Sequence, residues 1–342
     1  MIISKIGYFG FSDTIPEDID DRFDWVAKNT GNILFDSAIK EILDVTLITH
    51  GNIGKISSED YDAFITTSFI WIQQNDADNG YYRKMLKAAK HKPLIPMCIG
   101  LQAPGYDVDF KINGETVNIL SGMGERCVLG VRGNYTAEIL DRHGIKNIQV
   151  IGCPSVFRNF DYGFRIENEG TPKRCCVNFN AFHSALKEHE KDFLLYSAER
   201  DFAFVEQNES RPSESMCGGD GSGYLKIRQW LARKTNVFFD TGKWIDYMRQ
   251  FDFCMGHRFH GNVAALCAGV PALFVTSDSR TAELSEFFGF PTLKADMFDA
   301  SKPLGYYAGL ADYTEFNKNF PVLIDNFLSF CRCNNIALKR QP

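Results

Sequence analysis

In the stretch FDFCMGHRFHGNVAALCAGVPALFV, residues 251–275, Arg258 and His260 stand two residues apart, with Gly256 before them and Gly261 after. A guanidinium presents a planar fork of donors that fits carboxylate or phosphate, and an imidazole moves protons near neutral pH. Most of the stretch around them is apolar. An unpaired charge is costly to desolvate in such a place, so the pattern points to a ligand or partner. A second arginine has a similar setting: Arg132, in CVLGVRGNYTAEILDRHGI, follows one apolar run and precedes a helical one that Gly144 closes. Two such arginines facing each other suit a small ligand with more than one negative group. Alone, Arg132 reads more simply as a surface or structural charge. Gly256, Arg258, His260 and Gly261 together read as a site.

The elements that must position these residues alternate along the chain. Probable strands are IISKIGYF, DVTLIT, DAFITTSF, PLIPMCIG, CVLGV, NIQVIG, RCCVNF, DFAFVE, NVFFD, DFCM and PALFVT. Helical patterns lie between many of them, clearest over residues 243–251, where Trp244, Tyr247, Met248 and Phe251 fall at i, i+3, i+4 and i+7. This alternation predicts an α/β protein of two Rossmann-like domains, their sheets mainly parallel and facing a cleft. After the strand DFCM, the helix GNVAALCAG ends at Gly269, and Pro271 prevents its continuation. Arg258 and His260 then fall at a strand's carboxyl end beside a helix N-terminus, where parallel sheets bind ligands and anions are favoured. The polar stretch FDYGFRIENEGTPK, residues 160–173, divides the chain into an N-terminal domain, 1–165, and a C-terminal domain, 166–342. The loop at residues 206–224 is polar and glycine-rich, and reads as an excursion rather than a substrate lid.

Composition narrows the class. With 342 residues, 44% hydrophobic and 23% charged, the chain can bury a large core. The 29 phenylalanines predict aromatic core layers. A net charge of −6 argues against nucleic acid as partner. No run of about 18 uncharged apolar residues exists, so no membrane span is expected. The N-terminus lacks the pattern of a signal peptide, which predicts a cytoplasmic protein. The ten cysteines show no metal-knuckle spacing and read as reduced, mostly small hydrophobes; neither metal nor cofactor is expected.

MGHRFHGNVAALCAGVPALFVTSDSRTAEL resembles the C-terminal signature of the polysaccharide pyruvyl transferase family, with its R-x-H, its Ala-rich helix and its G-[VI]-P. LGVRGNYTAEILDRHGIKNIQVIGCPS is similar to that family's V-R segment and its G-x-P. TGNILFDSAIKEIL and KPLIPMCIGLQAP resemble its first helix and a Pro/Gly strand end. The matches run in order from about residue 29 to 291. The chain departs from the pattern at Gly133 and Cys153, where the family often has Asp. Leu34 and Phe35 replace a Gly-Asp, with Asp36 nearby.

The resemblance implies a GT-B-like fold and transfer of the pyruvyl group of phosphoenolpyruvate to hydroxyls of a sugar or lipid-linked oligosaccharide, releasing phosphate, in the biosynthesis of surface or exported polysaccharide. For that chemistry His260 and Arg258 read as catalytic and Arg132, Arg280, Asn32, Ser277 and Gly261 as substrate-binding. Phosphoenolpyruvate would be donor substrate, with no cofactor and no metal, and peripheral membrane association is left open. Arg280 follows the strand PALFVT with Ser277 and Asp278, and either meets the ligand or pairs with Glu283. Asn32 either lines the cleft or caps its helix. Two other classes share these features: a nucleotide-sugar glycosyltransferase of GT-B type, and a non-catalytic sugar- or phosphate-binding relative. The DVD of Asp107–Asp109 reads as solvated surface rather than as a metal-binding pair.

Overall fold

The computed structural model describes residues 5–74, 80–168, 170–180, 186–208 and 222–342; most of the polar loop singled out above, residues 209–221, lies outside them. Elements of the N-terminal half are β1 (Ile6–Gly10), α1 (Ile19–Trp25), α2 (Asn32–Ile42), β2 (Thr46–Thr49), β3 (Ala63–Thr66), β4 (Ile72–Gln73), α3 (Gly80–Ala89), β5 (Leu94–Pro96), β6 (Leu101–Gln102), α4 (Gly114–Gly124), β7 (Leu129–Val131), α5 (Asn134–Arg142) and β8 (Ile148–Val150). The second half contributes β9 (Cys175–Asn178), α6 (Glu188–Glu199), β10 (Ala203–Val205), α7 (Ser222–Lys234), β11 (Thr235–Asn236), α8 (Thr241–Met248), β12 (Phe253–Gly256), α9 (Phe259–Cys267), β13 (Ala272–Thr276), α10 (Ser279–Phe288), β14 (Thr292–Lys294), α11 (Leu304–Leu310) and α12 (Thr314–Cys333).

All strand pairs are parallel. Strands such as β1, β3, β9 and β12 are buried from end to end, as strands covered by helices on both faces must be. The N-terminal sheet runs β2-β1-β3-β5, and a bridge between Ile99 and Val131 ties the β7-β8 pair to its far edge. The C-terminal sheet runs β11-β10-β9-β12-β13-β14. Both orders double back. In the first sheet the chain reverses direction across the sheet between β1 and β3, and in the second between β9 and β12. Connections leave on opposite faces at such points, and a crevice opens beyond the strand ends. The two crevices face each other, giving the chain two Rossmann-like units in a GT-B-like α/β arrangement.

Phenylalanines fill the layers as their number implied. Phe157, Phe288, Phe290, Phe316, Phe320 and Phe327 form one group of ring contacts beneath the second sheet and α12. Helix α12 then carries the chain back to the first half. Gln149 Nε2 donates to the Asn326 carbonyl at 2.9 Å, Asn334 Nδ2 to the Val128 carbonyl at 3.1 Å, and Lys339 N to the Ile42 carbonyl at 2.8 Å.

The seam between the halves is polar. Thr30 N donates to the Gln207 carbonyl at 2.7 Å, and Ser279 and Ala103 exchange bonds of 3.1 and 3.2 Å. Glu283 of α10 accepts from Thr136 N at 3.0 Å and from its hydroxyl at 2.9 Å. Burial outweighs the attraction of Arg132 and lifts the Glu283 carboxyl to about 7. Its ordinary value is 4.5, so the folded protein holds this proton more tightly than the unfolded chain does. The corresponding stability is present below pH 4.5 and is lost as pH rises through about 7. Glu283→Gln keeps an acceptor for Thr136 and removes the titration. Urea midpoints should therefore shift in favour of the variant between pH 4.5 and 7, by up to roughly 3 kcal/mol, and stay level above. A difference that does not change with pH contradicts this assignment.

Candidate active site

The site begins with Asn178, the last residue of β9. Its side chain reaches across to the next strand connection: Oδ1 accepts from Arg258 N at 2.8 Å, and Nδ2 donates to Asn262 Oδ1 at 2.8 Å. Asn262 Nδ2 closes the loop on the Gly256 carbonyl at 2.9 Å, and His257 N donates to the Asn178 carbonyl at 3.0 Å. This network explains both glycines of the motif. A Cβ at Gly256 would stand 2.1 Å from the Asn178 carbonyl oxygen, and one at Gly261 would stand 2.6 Å from Asn178 Cγ. Gly261 is thus a packing requirement, buried and away from the cavity lining. Residues 253–257 and 261–267 of the motif are buried, and Arg258 and His260 are half-buried.

Helix α9 begins at Phe259, two residues before the glycine at which the sequence pattern started it, with Arg258 as the N-cap residue. His260 therefore lies inside the first turn rather than ahead of the helix. It faces the other half: Phe35 lies at 5.8 Å between ring centroids, and a Cβ at Gly31 would meet His260 Nδ1 at 2.9 Å. Gly269 ends the helix with φ 79°, the left-handed conformation expected there.

Between the halves lies a cavity of about 740 Å³, lined by Arg132, Arg258, His260, Arg280, Asn32 and Ser277 among others. The structure thus brings together all but one of the predicted site residues. Arg132 is 2% exposed, at the end of β7. It lies over Gly100, where any Cβ would overlap its guanidinium, and donates to the Ile70 carbonyl. Its Nε stands 3.7 Å from Glu283 Oε1. Nε and Nη1 make no hydrogen bond among the described residues, and neither does Arg280 Nε. Arg280 pairs with Asp278, at 3.2 Å, and not with Glu283, because Asp278 caps α10 and Glu283 is turned toward Thr136. Arg258 donates to the Asn208 side chain.

Arg280 stands within electrostatic reach of both other guanidinium groups. Burial pulls Arg258 down to about 10, and the positive charge of Arg280 adds to that. Arg280 is lowered by burial and by Arg132, against the pull of Asp278. A bound anion would relieve both effects and satisfy the empty donors.

The remaining lining was less legible. Asn32 does not cap α2; it donates to the Val26 carbonyl at 3.0 Å from the helix's first position. Asp36 accepts from Tyr8 Oη at 2.9 Å and from Phe11 N at 3.0 Å, fixing the β1 end of the cavity wall. His257 is buried edge-on to Phe179 and Phe193, with its pKa pulled down to about 3 by burial, so it is neutral at pH 7. Cys98 lines the cavity with φ 65°, a conformation that non-glycine residues take at cost. Asp107 and Asp109 form a turn outside the cavity lining, Asp109 N donating to Asp107 Oδ1 at 2.9 Å and the Tyr135 hydroxyl donating to the Asp107 carbonyl at 3.0 Å.

Comparison with solved structures finds chains of similar course at low identity. An uncharacterised protein of Klebsiella pneumoniae aligns with a TM-score of 0.46 and 12% identity, over 85% of this chain and 92% of that one. The UDP-GlcNAc 2-epimerase of Neisseria meningitidis, bound to UDP-GlcNAc, gives 0.44 and 10% over 95% and 99%. That of Methanocaldococcus jannaschii, with UDP-GlcNAc and UDP, gives 0.43 and 10% over 93% and 99%. A search of curated proteins returned no match. The family model described as polysaccharide pyruvyl transferase matches residues 6–279, from the first strand to the start of α10, so the chain belongs to the polysaccharide pyruvyl transferase family.

Proposed function

We propose that the chain transfers the pyruvyl group of phosphoenolpyruvate to hydroxyls of a sugar, with Arg132, Arg258 and Arg280 holding the donor and His260 supplying the proton. The observation that carries this reading is the set of guanidinium donors that find no partner among the described residues, beside one cavity. Phosphoenolpyruvate carries a carboxylate and a phosphate on one carbon. Three converging arginines match that pair of anions, and each charge-assisted bond contributes roughly 1.5–3 kcal/mol. The cavity is large enough for a sugar beside the donor.

In this reading His260 delivers a proton to the methylene carbon, and the double-bond electrons form the new C–H bond. The cationic carbon left behind takes up a sugar hydroxyl, phosphate leaves with the C–O electrons, and a second hydroxyl closes the ketal. Asn32 and Ser277 would stand on the acceptor side. The acceptor would be a sugar or a lipid-linked oligosaccharide, and the setting polysaccharide biosynthesis in the cytoplasm.

Ligand-dependent melting tests the donor. Phosphoenolpyruvate should raise the melting temperature and a nucleoside diphosphate should not; the reverse result would favour a nucleotide-sugar enzyme. Arg258→Ala should weaken phosphoenolpyruvate binding 10-fold or more, on the order of one to two lost charge-assisted bonds. Arg258→Lys should recover little of that loss, because an ammonium cannot reproduce the fork. A lysine variant that binds like the parent would refute bidentate holding.

His260→Gln should keep binding within a few-fold while phosphate release in the presence of a panel of methyl hexosides falls by roughly two or more decades. In D₂O the parent should place deuterium in the pyruvyl methyl of the product. Normal turnover by the glutamine variant would move the acid elsewhere.

A further inference from the structure

We propose that Cys153 is a covalent nucleophile of this site, holding the pyruvyl carbon between loss of phosphate and transfer to the acceptor, with His260 as its acid partner. The inference rests on phosphoenolpyruvate being the donor. Cys153 stands where the family often carries Asp, at the sharp turn after β8, where Gly152 has φ 72° and Pro154 starts a short 3₁₀ helix, Pro154–Arg158. The turn aims the sulfur across the seam. Sγ lies 3.5 Å from His260 Nε2 and 3.1 Å from Ser155 Oγ, with the Cys98 thiol turned toward it. Cys153, Cys98 and His260 all line the cavity that holds Arg132, a side chain 2% exposed with Nη1 unpartnered.

Cys153 differs from the other buried cysteines. Burial pushes the thiols of Cys127, Cys267 and Cys331 up to about 12. It acts in the same direction on Cys153, yet the hydrogen bond from Cys98 and the contacts with His260 and Ser155 overcome it and hold that thiol well below its ordinary value. The Cys98 thiol is raised in turn, chiefly by the same hydrogen bond. A thiolate beside an imidazole is an activated nucleophile.

The spacing also fits the reaction. Addition across an enol double bond needs a nucleophile at C2 and an acid at C3, on bonded neighbours, and a sulfur and a nitrogen 3.5 Å apart can address both. The Cys153 thiolate forms the S–C2 bond, the double-bond electrons take the His260 proton at C3, and the product is a thiol adduct that still bears phosphate. Phosphate then leaves with its C–O electrons and takes the proton of the acceptor hydroxyl that bonds to C2, and a second hydroxyl gives its proton to His260 and displaces sulfur, which departs as thiolate.

Incubating the full chain with phosphoenolpyruvate and no acceptor tests this. Acid quenching, digestion and mass spectrometry should find the donor's carbon skeleton on the peptide that contains Cys153. In D₂O, recovered phosphoenolpyruvate should carry deuterium at C3, because addition is reversible. Iodoacetamide should alkylate Cys153 faster than Cys98, and phosphoenolpyruvate should slow it. Cys153→Ala and Cys153→Asp should keep melting stabilisation by phosphoenolpyruvate and lose C3 exchange by two decades or more. Exchange by the Asp variant within a few-fold of the parent would reduce Cys153 to a partner that positions His260, and stabilisation of the parent with neither adduct nor exchange would overturn the covalent role; in both cases the donor reading stands. No stabilisation of the parent by phosphoenolpyruvate would overturn the donor reading and this one with it.

Discussion

Placing three guanidinium groups in one seam between two sheets is the constraint to which the rest of this structure answers. Burial lowers Arg258 and Arg280, and the positive charge of a neighbouring guanidinium adds to it in each case, Arg280 acting on Arg258 and Arg132 on Arg280. The chain offsets part of the cost with local carboxylates: Asp278 beside Arg280, Glu283 beside Arg132, and Glu206 acting on Arg258. The offset is incomplete, because among the described residues buried N–H groups on Arg132 and Arg280 find no acceptor. A seam built only for stability would have filled those positions with apolar groups.

The departures from the family pattern become physical statements once the seam is seen. Gly133 follows Arg132 where an aspartate is frequent. A Cβ there would stand 2.8 Å from Glu283 Oε2, so a carboxylate from the second half occupies the space that a side chain at 133 would need. A carboxyl group is kept beside Arg132 and its source has moved across the seam. Cys153 is a comparable exchange, with sulfur in the place of a carboxylate and still within reach of His260. Asp36, one residue beyond the substituted pair at Leu34 and Phe35, is buried and carries three interactions, with Tyr8, Phe11 and Lys40.

Much of this was legible in the sequence, and the failures have particular causes. The alternation of strands and helices, and the arginines at two strand ends, could be read because burial and turn chemistry are local. The start of α9 was misplaced by two residues because Arg258 is not a capping residue that pattern reading recognises; its backbone is fixed by Asn178, which comes from another strand. The same remote contact decides Gly256 and Gly261, which stood out in the sequence without revealing why. Spacing suggested Glu283 as the partner of Arg280, yet a helix neighbour loses to a carboxylate that already caps the same turn. Strands β4, β6 and β14 were missed, and at two or three residues each they carry too little pattern to see.

Neither half contains the site by itself. Arg132 and Cys153 follow β7 and β8 of the first half, whereas Arg258, His260 and Arg280 stand at turns of the second sheet, so the contacts that complete the site are those that cross the seam. Cys153 to His260, Arg132 and Thr136 to Glu283, and Gly31 against His260 are of this kind. Any movement that parted the halves would separate His260 from Cys153 and uncover Glu283 beside Arg132. Helix α12 works against such parting, since its far end and the residues after it are bonded to the first half through Val128, Gln149 and Ile42. The polar character of the seam follows from the same requirement. An apolar interface could hold two sheets together, but hydrogen bonds and paired charges fix where the two strand ends meet, and the chemistry depends on that registration.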